Sequence, residues 1–173
     1  DTESERDLTL MQRQAKRLLE LVTQLLDLSK LEAGKMKIQV SQRNIVPLIK
    51  GLTLSFASLA ERNKITLSFN SELEDIQVFV EKEAITKIIN NLLSNAFKFT
   101  GAGGNIQVNI NTRKELDLSN EGAICLEITD NGIGIPTERL DKVFDRFYQV
   151  DNSETREQEG TGIGLALTRE IER

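Results

Sequence analysis

Histidine is absent from all 173 residues. That excludes histidine metal sites, Ser-His-Asp triads and any phosphohistidine within them. Cysteine is nearly absent. Cys125 alone cannot form an intramolecular disulfide, and its place in the apolar stretch AICLEIT makes it a small core residue rather than a nucleophile. Long apolar runs are missing as well: nothing approaches the roughly 20 residues of a membrane-spanning helix, and no signal peptide precedes the first helical pattern. Cytosolic residence fits best. Cations are in deficit, since 22 Lys and Arg against 27 Asp and Glu give a net charge of −5 and a pI near 5.0. This argues against a general nucleic-acid surface, because neutralising phosphates needs clustered basic side chains. The chain opens without Met, and we expect it to be an excised piece of a longer protein.

What is present suffices for one ordinary domain plus an appendage, with 39% hydrophobic residues to fill a core. Leu8, Met11, Ala15, Leu18, Val22, Leu25 and Ser29 recur at spacings of three and four, and Leu19, Leu21, Leu26 and Leu28 widen the stripe. The pattern predicts one amphipathic helix whose face is too wide to stay solvated, so it should pack in a bundle or dimer. Gly34 supplies its C-terminal stop. A short extended connection from Lys37 to Gln42 follows. Asn44 can cap a helix running to about Arg62 with Pro47 in its first turn, Ile65 to Phe69 alternates as a strand, and residues 77–80 make another. Lys82 to Lys98 carries Ile85, Ile88, Ile89, Leu92, Leu93 and Ala96 at helical spacing. The sequence GAGGN then turns into a strand at Ile106 to Asn111, which LDLSNEG links to Ile124 to Thr129, most simply as an antiparallel hairpin. The polar DNSETREQEG reads as a mobile loop, and Gly160 to Arg173 as a helix that begins in glycine.

The chemistry gathers in three places. On the Lys82–Lys98 helix, Asn91, Asn95 and Lys98 share a face, because positions three and four apart do so. The Asn95 amide oxygen can ligate a hard cation such as Mg2+, which keeps few protein ligands and fills the rest with phosphate and water. Lys98 can meet phosphate oxygens as a point charge. Asp130 ends the second hairpin strand, where Gly132 and Gly134 let the backbone approach a ligand. Its carboxylate can accept a hydrogen bond from an exocyclic amine that adenine has and guanine lacks at that ring position, which favours ATP. The third place, GTGIGL, is not a dinucleotide fingerprint: no strand precedes it and no following unit supplies a ribose acid. A Walker motif, GxxxxGK[ST], is also absent. GTGIGL reads instead as a glycine-rich helix N-terminus offering N–H groups and a positive dipole to phosphates. Phe144, Phe147 and Tyr148, between these turns, can anchor a lid, while Asp141 and Asp145 form a solvated face.

With these residues in order, the chain resembles the cytoplasmic core of bacterial sensor histidine kinases over nearly all its length. Residues 1–36 look like the second helix of the dimerisation and phosphotransfer hairpin, 37–43 like a linker, and 44–173 like the ATP-binding domain. INNLLSNAFKFT is similar to the family's asparagine box, DNGIGIP to its first glycine box, VFDRFYQV to its phenylalanine box and GTGIGLAL to its second glycine box. The resemblance implies an α+β fold, an α/β sandwich of the gyrase and histidine-kinase ATPase type with a mixed sheet and helices on one face. It implies ATP and Mg2+ as cofactors, with Asn95 on the metal, Asn91 and Lys98 on phosphates, Phe99 beside the base and Asp130 on the adenine amine. Gly132, Gly134, Ile135, Tyr148, Thr161 and Leu165 join the same ATP site, and Gly160, Gly162 and Gly164 form the lid hinge. It further implies homodimerisation through the N-terminal helix, a response-regulator receiver as partner, and a cytoplasmic domain of an inner-membrane sensor. Neither nucleic acid nor a membrane segment enters.

The family's acceptor helix, with its histidine and adjoining acidic residue, is not in this sequence. Self-phosphorylation of the fragment is therefore not expected. Relatives also continue past the second glycine box into closing strands, so the ATP-binding domain is expected to be C-terminally truncated at Arg173. Gln149 stands where many relatives carry a cation. The alternatives are an ATP hydrolase of the same superfamily and a degenerate nucleotide-binding module without transfer. Hydrolases of that kind carry a water-activating Glu one turn before the metal Asn, and here that place holds Asn91, whose amide takes no proton near neutral pH.

Overall fold

The computed structural model describes residues 2–32, 39–113, 123–149 and 161–171. They form α1 (Thr2–Glu32), β1 (Ser41–Asn44), α2 (Ile45–Leu54), α3 (Ala57–Asn63), β2 (Thr66–Ser71) and β3 (Gln77–Val80). There follow α4 (Lys82–Phe99), β4 (Asn105–Arg113), β5 (Ala123–Asp130), a 3₁₀ turn (Thr137–Lys142) and α5 (Gly164–Ile171). The chain divides into two compact units, Ile38–Thr137 on the one hand and Asp1–Lys37 with Glu138–Arg173 on the other. The expected helix stop at Gly34 and the polar loop DNSETREQEG fall outside the described residues, as does the LDLSNEG link.

In the unit Ile38–Thr137, β2, β4 and β5 form a mixed sheet, with β2 parallel and β5 antiparallel to the central β4. Parallel neighbours cannot be joined by a tight turn, and α4 is the crossover that joins these two. Ile106, Val108 and Ile110 on β4 are fully buried under the helices. The other face is polar, and there Asn70 donates to the Asn109 side chain at 3.1 Å. Alternation along β4 thus sorts one apolar face from one wet face. Ile45, Val46 and Ile49 of α2, Ala60 of α3, and Ile89, Leu93, Ala96 and Phe97 of α4 complete the core with Ile65 and Ile76. The arrangement is the expected α/β sandwich with helices on one face.

Local chemistry sets the ends of these elements. Asn44 caps α2, its side-chain oxygen accepting from Val46 N–H at 3.1 Å and from Ile76 N–H at 3.3 Å. Glu81 caps α4 by accepting from the N–H groups of Glu83 and Ala84. The sequence reading differs from the structure in three elements. The extended connection ending at Gln42 runs into β1, which pairs antiparallel with β3 from Ser41 opposite Val80 to Asn44 opposite Gln77. The helix expected from Asn44 to Arg62 breaks after Leu54. There the Ser55 hydroxyl donates to the Leu52 carbonyl at 2.6 Å, and Phe56 turns to stack on Phe97 with ring centroids 5.5 Å apart. The last helix begins at Gly164 rather than Gly160, which lies outside the described residues.

Candidate functional site

Helix α4 buries Ile88, Ile89, Leu93, Ala96 and Phe97, and each such isoleucine, leucine or phenylalanine contributes about 1.5–3 kcal/mol by leaving water. That burial fixes the rotation of the helix. Asn91, Asn95 and Lys98 consequently come to one half-buried face, as their spacing predicts. The Lys98 ammonium lies 4.7 Å from the centroid of the Phe99 ring, a distance at which the ring face attracts a cation. Phe99 itself is the last helical residue and remains partly exposed.

The turn after β5 is tied to this end of α4. Ile133 N–H donates to the Phe99 carbonyl at 3.2 Å, filling one of the acceptors a helix end leaves open. Between them Gly132 passes so close that a Cβ there would collide with the Phe99 carbonyl. Only glycine fits. Asp130 is exposed at the strand end, and its Oδ1 accepts from Gly132 N–H at 2.9 Å. Gly134 and Ile135 are exposed just beyond. The asparagine-bearing face and Asp130 are thereby mounted on one hydrogen-bonded framework within a single unit.

Two residues of that framework escaped the sequence reading. Asn131 N–H donates to the Asn105 carbonyl at 3.3 Å, and the Asn131 side-chain oxygen accepts from Asn105 N–H at 2.7 Å. The only signal in the sequence is the Asn-Gly pair, a turn former. Its partner lies 26 positions away.

The glycine-rich segment belongs to the other unit, where Gly160 lies outside the described residues. Thr161 donates through its hydroxyl to the Gln24 side-chain oxygen on α1 at 2.7 Å and accepts from Ile163 N–H at 3.3 Å. Gly162 has φ +69°, and its carbonyl accepts from Phe147 N–H at 2.8 Å. A side chain there would be strained by φ and would meet the Phe147 backbone. Gly164 opens α5 and Leu165 is half-buried. Of the aromatic group, Tyr148 is half-buried with its hydroxyl 3.5 Å from an Arg139 nitrogen, and Arg169 lies over the Phe144 ring. Phe147 is exposed.

Known proteins match this arrangement. The family described as histidine kinase-, DNA gyrase B- and HSP90-like ATPase matches residues 80–173. Hybrid signal transduction histidine kinase D of Dictyostelium discoideum is 36% identical over 172 residues, 99% of this chain. Full-length ShkA, solved in complex with AMPPNP, has a TM-score of 0.79 at 21% identity over 98% of the chain. Histidine kinase ThkA, solved with the response regulator protein TrrA, has a TM-score of 0.65 at 21% identity over 88% of it. At that identity the two structures establish the shared fold. The chain spans 11% of the length of the first relative, and 33% and 42% of the two solved chains. That family match runs from just before the asparagine-bearing helix, through the aspartate turn, to the second glycine segment, and the chain belongs to the histidine kinase-, DNA gyrase B- and HSP90-like ATPase family.

Proposed function

We propose that the chain is the ATP-binding catalytic portion of a sensor protein-histidine kinase. It passes the γ-phosphoryl group of ATP to a histidine outside these residues, for relay to a response-regulator aspartate. The observation that carries this reading is the junction at Phe99, where the turn bearing Asp130 bonds to the end of the helix bearing Asn91, Asn95 and Lys98.

In this reading Asp130 Oδ2 accepts from the adenine amine while Oδ1 stays with Gly132 N–H. Phe99 lies beside the base. Lys98 and the Asn91 amide meet phosphate oxygens, and Asn95 holds magnesium through its amide oxygen. This donor set suits the ion, because Mg2+ is usually bound by one or two protein oxygens plus phosphates and water. When bound with the nucleotide, magnesium supplies charge neutralisation on the phosphate oxygens. Asn91 offers no basic group to activate water, so positioning and charge stabilisation are what the chain contributes, and these suit transfer to a held acceptor. Gly134, Ile135, Tyr148, Gly160, Thr161, Gly162, Gly164 and Leu165 are assigned to nucleotide binding through the family pattern.

Residues 1–36 are proposed as the second hairpin helix and as the homodimer contact. Leu8, Met11, Leu18, Leu19 and Leu26 on it are all more than half exposed, which supports an intermolecular role. No described helix is long and apolar enough to cross a membrane, and the proposed setting is the cytoplasmic side of an inner-membrane sensor.

Titration calorimetry with Mg-ATP tests the site. Asn95→Ala should bring binding below detection and Asp130→Ala should weaken it by about tenfold, the worth of one hydrogen bond to a charged group, and unchanged affinity in both variants would remove the nucleotide reading. Incubation with labelled ATP and a separately supplied acceptor-histidine hairpin tests the activity. Label on the hairpin histidine is expected, whereas release as free phosphate would point to a hydrolase.

A further inference from the structure

In the hydrogen-bonded pairs of an antiparallel ladder, two facing residues exchange both N–H···O bonds. One step beyond the last ladder pair, Ile106 with Asp130, this exchange is altered. Asn131 N–H still donates to the Asn105 carbonyl, but Asn105 N–H goes to the Asn131 side-chain oxygen at 2.7 Å. A side chain has taken over the acceptor role of a backbone carbonyl. The Asn131 carbonyl is thereby freed from the ladder, and the chain can leave the sheet at once through Gly132 to reach the Phe99 carbonyl. The space around this bond is tight, since a Cβ on Gly104 would sit 3.0 Å from the same Asn131 oxygen. Asp130 stands immediately before the departure point, with one carboxylate oxygen bound to Gly132 N–H.

We propose that Asn131 is a positioning residue for adenine recognition. Its side chain pins the point where β5 ends, and so fixes the carboxylate of Asp130 against the base. The proposal rests on the assignment of Asp130 to the adenine amine. Without the Asn131 oxygen, Asn105 N–H loses its acceptor and the turn is held to β4 by one bond instead of two. Asp130 then spreads over several orientations. The loss falls on the amine contact and spares the phosphate contacts, which are carried by α4.

The test compares equilibrium affinities of the whole chain for Mg-ATP and for purine riboside triphosphate, which lacks the 6-amine. The wild-type chain should prefer ATP by about tenfold, the worth of one well-placed hydrogen bond to a charged group. Asn131→Ala should hold the purine analogue within about twofold of wild type while its preference for ATP collapses toward unity, as in Asp130→Ala. Asn131→Asp, whose carboxylate can still accept from Asn105 N–H, should restore the preference, because its added charge acts on both nucleotides alike. An unaltered preference in Asn131→Ala overturns the proposal, since a merely structural defect weakens both ligands together. Should Asn131→Ala not fold, Asn131→Asp decides alone, and a lost preference there overturns it too. A wild-type chain that binds both nucleotides equally sinks the Asp130 assignment itself and this inference with it.

Discussion

Helices α1 and α4 are both written with apolar residues at spacings of three and four, yet they bury that stripe to opposite degrees. On α4, Ile89 and Leu93 are fully buried and Ala96 is 4% exposed. On α1, Leu18 and Leu19 are 62% and 67% exposed. Periodicity therefore reports that a face must be covered, not what covers it. The α4 stripe lies on a sheet whose strands flank it in sequence, so its partner arrives with the same stretch of chain. That of α1 packs beside the short α5 and leaves Leu8, Leu18, Leu19 and Leu26 open, which is why a second copy is proposed to cover it.

The packing of α4 is most exposed to test at Leu93. Leu93→Ala leaves a cavity under the sheet and should cost about 2–5 kcal/mol in chemical unfolding followed by circular dichroism. A cost below about 1 kcal/mol would mean that the α4 face is no better packed than that of α1.

The same chemistry on α1 should act on association instead. Leu18→Glu keeps a good helix former and places a charge on the open stripe. It should leave the unfolding free energy of the Ile38–Thr137 unit unchanged to within about 0.5 kcal/mol. In the full chain it should shift sedimentation from dimer to monomer. A wild-type chain that sediments as a monomer at high micromolar concentration would remove the assignment of this face to a second copy. A large loss of stability in the monomer would show the stripe to be packed internally.

What was legible in the sequence follows the same division between local and distant partners. The α4 pattern, the Asn44 cap and the hairpin-forming β4 and β5 are written in neighbouring residues, and all stand in the structure. So does the shared face of Asn91, Asn95 and Lys98. The pairing of β1 with β3 was not legible, because Gln42 and Phe79 meet across a long separation and four residues carry little period of their own. The parallel alignment of β2 with β4 was hidden for a like reason, as alternation gives a face but no direction. At the candidate site the residue types were readable and the joints were not. Asn105 N–H bonds to the Asn131 side chain and Ile133 N–H to the Phe99 carbonyl, and both join partners too far apart in sequence for a local motif to encode.

The smallest expected effect lies at the C-terminal end of the well-packed α4. Thr100 is buried and its N–H closes the helix by donating to the Ala96 carbonyl at 3.0 Å. Its hydroxyl oxygen has no hydrogen-bond partner among the described residues. A buried hydroxyl without a partner costs about 1–3 kcal/mol, and replacing it by a methyl group of similar size removes that cost. Thr100→Val should therefore leave stability unchanged or raise it by up to about 1 kcal/mol, with Mg-ATP affinity unaltered. Volume alone does not oppose the change, since the Thr100 methyl already fills the space beside Gly104. A loss of about 1 kcal/mol or more would show that the hydroxyl is satisfied by a bound water. A loss of nucleotide affinity at constant stability would instead place Thr100 beside the base, extending the site by one residue past Phe99.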